Sequence, residues 1–412
     1  MNEVISRVEA REILSGPGRP TVEVQLETSR GVRVKASVPS GTSKGDYEAS
    51  EVHDGGVRFR GLGVRTAVDN VNRVIAPAVR GMEVTRQEGI DGKMIELDGT
   101  PNKGRLGANA ILPVSVAAAK AGAESAGLPL YRYLGGLGRG KFPVPLATVL
   151  AGGEHSVSGL EFEDYLLVPD GFSAFGDAVE ALYTTRLSLG EILCRRFGPI
   201  PEVGGALAPP LTDTREAFDL MLKAVEQAGY GGKIQLGLDA AASQLYDKEA
   251  GNYRLSRGRA TAEELVSFYS RLAGDYPLVF IEDPFDQDDF GHFARLGERL
   301  PGKMIVGDDL FASSPKRLAR GIREKAGNMI LLKVNQIGTV SEACETAALA
   351  SRNGFGITVS VRSNDTNDSF VADFGVAAGA RQIKLGSPVR GERNSKYNRL
   401  LEIEQELGFI RT

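Results

Sequence analysis

The chain opens with apolar and polar residues in alternation. SRVEAREIL, PTVEVQLETS and GVRVKASV each carry the period of two that suits a half-buried strand, with turn residues GPGR and SRG between them. This pattern predicts a three-stranded antiparallel meander. Two stretches with apolar residues spaced by three and four follow, VRTAVDNVNRVIAPAV and GANAILPVSVAAAKAGAESAG, and they predict helices. Strands followed by helices describe an α+β domain. The Gly- and Pro-rich passage GLPLYRYLGGLGRGKFPVP reads as a junction, dividing the chain into a first domain over residues 1–138 and a second over 139–412.

Beyond residue 230 a different unit repeats: a short apolar strand, a charged residue at its end, then a helix. The strand ends are IQLGLD with Asp239, PLVFIE with Glu282, MIVGD with Asp308, MILLK with Lys333, GITVSVRS with Arg362 and Ser363, and RQIK with Lys384. From Glu282 onward they recur at intervals of roughly 25 residues, the length of one βα unit. Such repeats predict a parallel sheet closed into a (β/α)8-like barrel, in which the strand carboxyl ends form one mouth. The charged side chains would converge there.

Composition narrows the function classes. At 412 residues, 42% hydrophobic and 25% charged, the chain reads as a soluble globular protein with room for two domains. A net charge of -4 argues against nucleic acid as a partner, although local basic clusters can still bind small anions. The opening MNEVISRVEAREIL has charges where a secretory signal needs an apolar run, and the most apolar stretch is broken by Pro113 and Lys120. A cytoplasmic location without membrane contact is the expectation. Cys194 and Cys344, with no CxxC, suggest neither a disulfide framework nor a zinc site.

The residue types at the strand ends suggest a chemistry. Any one carboxylate could cap a helix or pair with a cation, but Asp239, Glu282 and Asp308 in series make a plausible oxygen cage for Mg²⁺. Asp309, next to Asp308, reads as structural. Lys333 lies in an otherwise apolar run, where desolvation disfavours the ammonium, so one of Lys333 and Lys384 can serve as a base and the other can hold an anion. Arg362 with Ser363 offers a fork and a hydroxyl suited to a phosphate or carboxylate. A base facing a metal-held carboxylate suggests removal of a proton α to that carboxylate, with the metal absorbing the charge of the enediolate.

Several longer passages sharpen this picture: PTVEV, VPSGTSKGDYEA, AVDNVNRVIAPA, ELDGTPNKGRLGANAIL, LPLYRYLGG, IEDPF, GDDLF, LLKVNQIGT, QIKLGSP and KYNRLLEIEQELG. Through them the chain resembles the enolase family over essentially its whole length. The resemblance implies an enolase-like (β/α)8 barrel with an N-terminal α+β capping domain. It also implies one or two Mg²⁺ ions, ligated by Asp239, Glu282 and Asp308, with Ser43 in a mobile loop that reaches the second. It makes Lys333 the base at C2, sets Lys384 at the substrate carboxylate and Arg362 with Ser363 at the phosphate, and makes His155 of GGEH an active-site loop histidine. The partner it implies is a small phosphorylated or phosphonylated carboxylic acid, and the assembly a homodimer or higher homo-oligomer.

The departures from the family cluster at the leaving-group end. The family's GDEGGFAP is PEVGGALAP here, with Val203 at the glutamate position and Glu202 one place away. Its QEF becomes EDY, with Glu163 and the shorter Asp164. The histidine of SHRSGET becomes Val361, the arginine of DSRGNPTVE becomes Pro17, and Lys44 replaces the threonine of the SGAST loop, adding charge at the expected phosphate end. A general acid typically contributes about 10²–10⁴-fold in rate, so its displacement matters. The reading these changes favour is a diverged Mg²⁺-dependent enzyme acting through Lys333 at C2 of 2-phosphoglycerate, phosphoenolpyruvate or a phosphonate analogue, and the family variant that best suits them is carboxyphosphonoenolpyruvate synthase, of phosphonate antibiotic biosynthesis. One alternative is a working phosphopyruvate hydratase with its acid relocated to Glu202 or Asp164. Another is a non-catalytic enolase-like binding protein.

Overall fold

The computed structural model describes residues 3–41, 45–136, 142–256 and 258–408, the side chain of His155 excepted. The N-terminal alternation forms β1 (Ile5–Leu14), β2 (Pro20–Thr28) and β3 (Arg33–Ser37), an antiparallel sheet in that order. On β2, Val22, Val24 and Leu26 are fully buried, whereas Gln25 between them is exposed. The buried face packs against α2 (Ala108–Ser125), preceded in the chain by α1 (Gln87–Asp98). Pro113 lies inside α2 without ending it. In the passage read as a junction, Leu130–Gly135 is helical, and residues 137–141 lie outside the described part.

Eight strands close the barrel: β4 (Val144–Ala151), β5 (Asp164–Val168), β6 (Gln235–Asp239), β7 (Leu278–Glu282), β8 (Met304–Gly307), β9 (Met329–Leu332), β10 (Gly356–Ser360) and β11 (Gln382–Lys384). Each pairs with the next, and β11 pairs with β4. The sheet differs from the expected all-parallel ring at β5, which runs antiparallel to both β4 and β6. No crossover helix separates β4 from β5, so the chain simply turns back. Two helices, α3 (Phe175–Phe197) and α4 (Thr214–Gln227), then precede β6. The reversal has a consequence: the first residue of β5, rather than its last, lies at the mouth.

From β6 onward each strand is followed by at least one helix, among them α5 (Ala262–Asp275), α6 (Phe290–Arg299), α7 (Pro315–Glu324), α8 (Val340–Arg352), α9 (Phe370–Ala377) and α10 (Gly391–Glu406). Several starts are capped as the sequence dictates; Thr261 and Glu264 form a reciprocal capping box on α5, and Ser314 and Thr339 cap α7 and α8. Inside the barrel, Leu146, Leu166, Phe280, Val306 and Leu331 belong to an apolar cluster distinct from the larger core between strands and helices. Gly237 belongs to this tight interior, where a Cβ would come within 3.1 Å of Leu166 and 3.3 Å of Phe280.

The capping domain is tied to the barrel mouth by backbone bonds and ion pairs. Ala49 N donates to Gln336 O at 2.7 Å, Gly16 N to Asp365 O at 2.8 Å, and Lys120 Nζ lies 2.7 Å from Asp368 Oδ2. No helix among the described residues is long and apolar enough to cross a membrane.

Candidate active site

Strand register builds the site. Asp239 and Glu282 end adjacent parallel strands and are directly paired in register, and Asp164 pairs with Asp239 from the antiparallel β5. Three carboxylates therefore stand in a row across β5, β6 and β7. Asp308 and Lys333 come immediately after β8 and β9, and Lys384 ends β11. These residues, except Glu282, line a cavity of about 360 Å³ together with Glu163, Arg362 and Ser363. The convergence expected from the repeats is present.

Charges within this ring are matched closely. Lys384 Nζ lies 2.7 Å from Asp239 Oδ2, 2.8 Å from Glu282 Oε2 and 3.2 Å from Asp164 Oδ2. Burial works against its ammonium, but Asp239 and Glu282 outweigh it and hold the group well above the ordinary lysine value. Lys333 Nζ bonds Asp308 Oδ2, while Asp308 Oδ1 accepts from Gln336 Nε2 at 2.8 Å. Burial would strip the proton from Lys333, yet Asp308 prevails and raises it; burial would likewise protonate Asp308, and Lys333 prevails to lower it. The lysine expected to tend toward neutrality is thus held as a cation by its neighbour.

Three carboxyls go the other way. Burial, then the charge of Asp239, pushes Glu282 well above its ordinary value, and burial also raises Asp164. Glu163 is pushed up to about 8 by burial and by Asp239 and Asp164, while accepting from Gln244 Nε2 at 2.7 Å. Asp164 Oδ2 also accepts from Thr148 Oγ1 at 3.2 Å.

The donor set for a metal can be tested on these contacts. Among the described residues, the group of three carboxylates that offers oxygens all within 4.8 Å of one another is Asp283, Asp308 and Asp309, which shares only Asp308 with the expected trio. Asp283 is already engaged, since its two oxygens accept the backbone N–H groups of Asp308 and Asp309 at 2.9 and 2.7 Å. It positions the segment carrying Asp308. Glu282 Oε1, by contrast, is buried with no hydrogen-bond partner, an acceptor that a cation would satisfy. With Asp239 and Asp308 on flanking strands, this all-oxygen set fits a hard divalent ion such as Mg²⁺.

The other assignments divide. Arg362 lies at the mouth, but its guanidinium is engaged: Nη1 donates to Glu48 Oε2 at 2.8 Å and Asn335 Oδ1 at 3.1 Å, and Nη2 to Glu48 Oε1 at 3.2 Å. Ser363 and Val361 line the cavity, as do Pro17 and Val203. Glu202 does not. It pairs with Leu207 in a two-residue strand, where alternation turns Val203 toward the cavity and Glu202 away. Arg186 Nη2 holds the Glu202 carboxylate at 2.6 Å, with 46% of that side chain exposed. Glu202 is therefore not positioned as the displaced acid. Ser43, Lys44 and the His155 side chain fall outside the described residues; the His155 backbone ends the helical turn Gly153–His155 after β4.

Residues that sequence reasoning passed over complete the site: Glu48 on Arg362, Gln336 on Asp308, Gln244 on Glu163, and Asp283 beneath Asp308. Asn335 and Gln336 follow directly on Lys333 in KVNQ, and Asp283 follows Glu282 in IEDPF, so adjacency to the charged strand ends was an available signal. Glu48 had no such signal, because it comes from the other domain.

Two family models cover nearly the whole chain: "Enolase, N-terminal domain" matches residues 5–134, and "Enolase, C-terminal TIM barrel domain" matches residues 140–411. Relatives named enolase align end to end. That of Methanopyrus kandleri is 51% identical over 99% of this chain and 96% of its own length, that of Methanothrix thermoacetophila 49% over 99% and 97%, and that of Thermococcus gammatolerans 47% over 98% and 96%. The chain belongs to the enolase family and is an enolase-superfamily lyase.

Proposed function

We propose that this chain is a phosphopyruvate hydratase, interconverting 2-phosphoglycerate and phosphoenolpyruvate plus water, with residues 1–138 as cap and 139–412 as catalytic barrel. The observation that carries this reading is the ring of Asp239, Glu282, Asp308, Lys333 and Lys384 at one mouth, in a chain aligned end to end with relatives named enolase. Mg²⁺ held by Asp239, Glu282 and Asp308 would supply positive charge beside the substrate carboxylate. Lys333 Nζ takes the proton from C2. The C2–H electron pair becomes the C2–C3 double bond, and the C3 hydroxyl departs with a proton as water. For this Lys333 must be neutral, and burial with the charges of Arg362 and Lys384 favours that form whenever the charges of Asp308 and Glu282 are engaged elsewhere. Asp164, on the same cavity wall, supplies the proton to the leaving hydroxyl, with Glu163 beside it. Arg362 and Ser363 take the phosphoryl end, and Lys384 the carboxylate. The assembly proposed is a homodimer or higher homo-oligomer.

A second reading is action on a phosphonate analogue, as by a carboxyphosphonoenolpyruvate synthase. One observation favours it: Glu202 points out of the cavity while Val203 and Val361 line it. The relatives weigh toward the hydratase. A complete ring of carboxylates and lysines weighs against a binding protein without chemistry.

The test is incubation with 2-phosphoglycerate and Mg²⁺ in D₂O, following both C2 exchange and phosphoenolpyruvate. Mg²⁺-dependent formation of phosphoenolpyruvate, lost by at least about 10³-fold in Lys333→Ala, is the expected result. Exchange without phosphoenolpyruvate would transfer the assignment to the phosphonate reading, and absence of both would remove the hydratase.

A further inference from the structure

The anionic end of the cavity presents a charge problem. A phosphoryl group carries about -1.5 to -2 charges near neutral pH. Arg362, the cation assigned to that end, is already matched by Glu48, which accepts from both of its terminal nitrogens. Arg393 braces the same segment, donating to Arg362 O at 2.8 Å and Ser363 O at 3.1 Å. The Arg362 fork is thus matched by an acid, and both terminal nitrogens of Arg393 are spent on carbonyl oxygens, with only its Nε left without a hydrogen-bond partner.

Two other arginines line the same cavity, Arg19 and Arg390, and Arg390 Nε donates to Glu392 Oε1 at 2.8 Å. Arg19 is half-buried in the turn between β1 and β2, and among the described residues its guanidinium has neither a hydrogen-bond nor an ion-pair partner. Its backbone is held firmly. Ser15 N donates to Arg19 O at 2.8 Å, Arg19 N to Ser15 Oγ at 3.2 Å, and Gly18 N to Ser15 O at 2.9 Å. Gly18 takes the positive φ (83°) that the turn requires. Gly16 N then fastens the turn to Asp365 O at 2.8 Å, three residues beyond Arg362. A Cβ on Gly16 would fall 2.4 Å from the Glu392 carboxyl carbon, so the turn is seated tightly against the start of α10.

A fixed backbone with an unmatched guanidinium at a cavity wall is a preorganised anion contact. We propose that Arg19 is a substrate-binding residue that carries the phosphoryl end of the ligand from the capping domain, alongside the Arg362 and Ser363 segment of the barrel. This rests on the proposed function for the identity of the ligand. Cap and barrel would then each supply a cation to one dianion, making the ligand itself a bridge between the two domains.

The test is calorimetric titration of the full-length protein in Mg²⁺ buffer with two probes, 2-phosphoglycerate and inorganic phosphate. Arg19→Ala should weaken both by about 10–100-fold, as expected for loss of a charge-assisted contact, and Arg19→Lys should recover part of the loss. The thermal midpoint should not move, because no partner is left behind. Binding of both probes by the wild type with unchanged affinity in Arg19→Ala overturns the Arg19 assignment and leaves the hydratase intact. Binding of phosphate but not 2-phosphoglycerate by the wild type, with phosphate lost in Arg19→Ala, sustains Arg19 and removes the hydratase. A wild type that binds neither overturns both.

Discussion

Lys333 follows four buried apolar residues of β9 and still carries a charge. The sequence shows the anomaly but not its resolution, because the partner that keeps it protonated, Asp308, lies on the neighbouring strand end and is itself oriented by Gln336 and Asp283. The same limit explains Glu202. Its place one residue before Val203 and the two glycines is legible, whereas the direction of its side chain depends on a two-residue strand and on Arg186 of α3. The central residue-scale prediction concerns Asp308→Asn. It keeps the shape and removes the charge, so Mg²⁺ affinity measured by calorimetry should fall by roughly 10–100-fold or more. Removing one member of a buried ion pair costs about 3–5 kcal/mol, so a thermal melt must establish that the variant is folded at the titration temperature. Equal Mg²⁺ affinity in the folded variant and the wild type would take Asp308 out of the metal site.

At the scale of elements, period-two and βα patterns locate β1 to β3 and β6 to β11 closely, since each has an alternating or fully apolar face with turn residues around it. β4 and β5 escaped that reading. They precede the regular repeat, β5 runs the other way, and two helices rather than one separate it from β6, so no interval of one βα unit announces them. VPLATVLA and DYLLV are nonetheless apolar runs of strand length, and their composition was the available signal. An element-scale prediction concerns the hairpin of the cap. Glu12 on β1 accepts from both terminal nitrogens of Arg58 and from Val64 N, anchoring the segment that leads into the helix Arg65–Asn70. The Arg58 hydrogen bond is the main cause of a Glu12 carboxyl lowered from its ordinary 4.5. A lowered carboxyl contributes stability that is present above its unfolded value and lost as pH falls through the folded one. Glu12→Gln should therefore be less stable than wild type near pH 7, by no more than about 1 kcal/mol given solvent screening, and the gap should close below about pH 4.5. Urea titrations at several pH values measure it; a gap that persists unchanged at pH 3 would mean that the ionised carboxylate is not what matters.

For the whole molecule, the question is whether cap and barrel behave as two proteins or one. Sequence composition divides them at a Gly- and Pro-rich passage, and each has its own sheet, which suggests independence. The side chains argue otherwise. One continuous core contains Val22, Val24 and Ala36 of the cap sheet, Ile111 and Val114 of α2, and Val334, Val340 and Val361 of the barrel. Polar contacts follow the same seam: Asp91 Oδ2 accepts from Ser341 N at 3.0 Å, Lys103 Nζ lies 3.0 Å from Glu342 Oε2, and Glu48 holds Arg362. Arg362 is nearly fully buried, so opening the seam would leave a guanidinium and several carboxylates without partners, at a cost of several kcal/mol for each broken buried pair. A shared core and a costly seam predict cooperative melting. In differential scanning calorimetry the protein should unfold in a single transition with calorimetric and van't Hoff enthalpies in agreement, provided the melt is reversible and concentration is held fixed. Amides of β2 and β9 should share one hydrogen-exchange free energy at the global limit. Two resolved transitions, with β2 exchanging well before β9, would show that the seam is weak. The active site would then lie between separately stable bodies, able to form only when they meet.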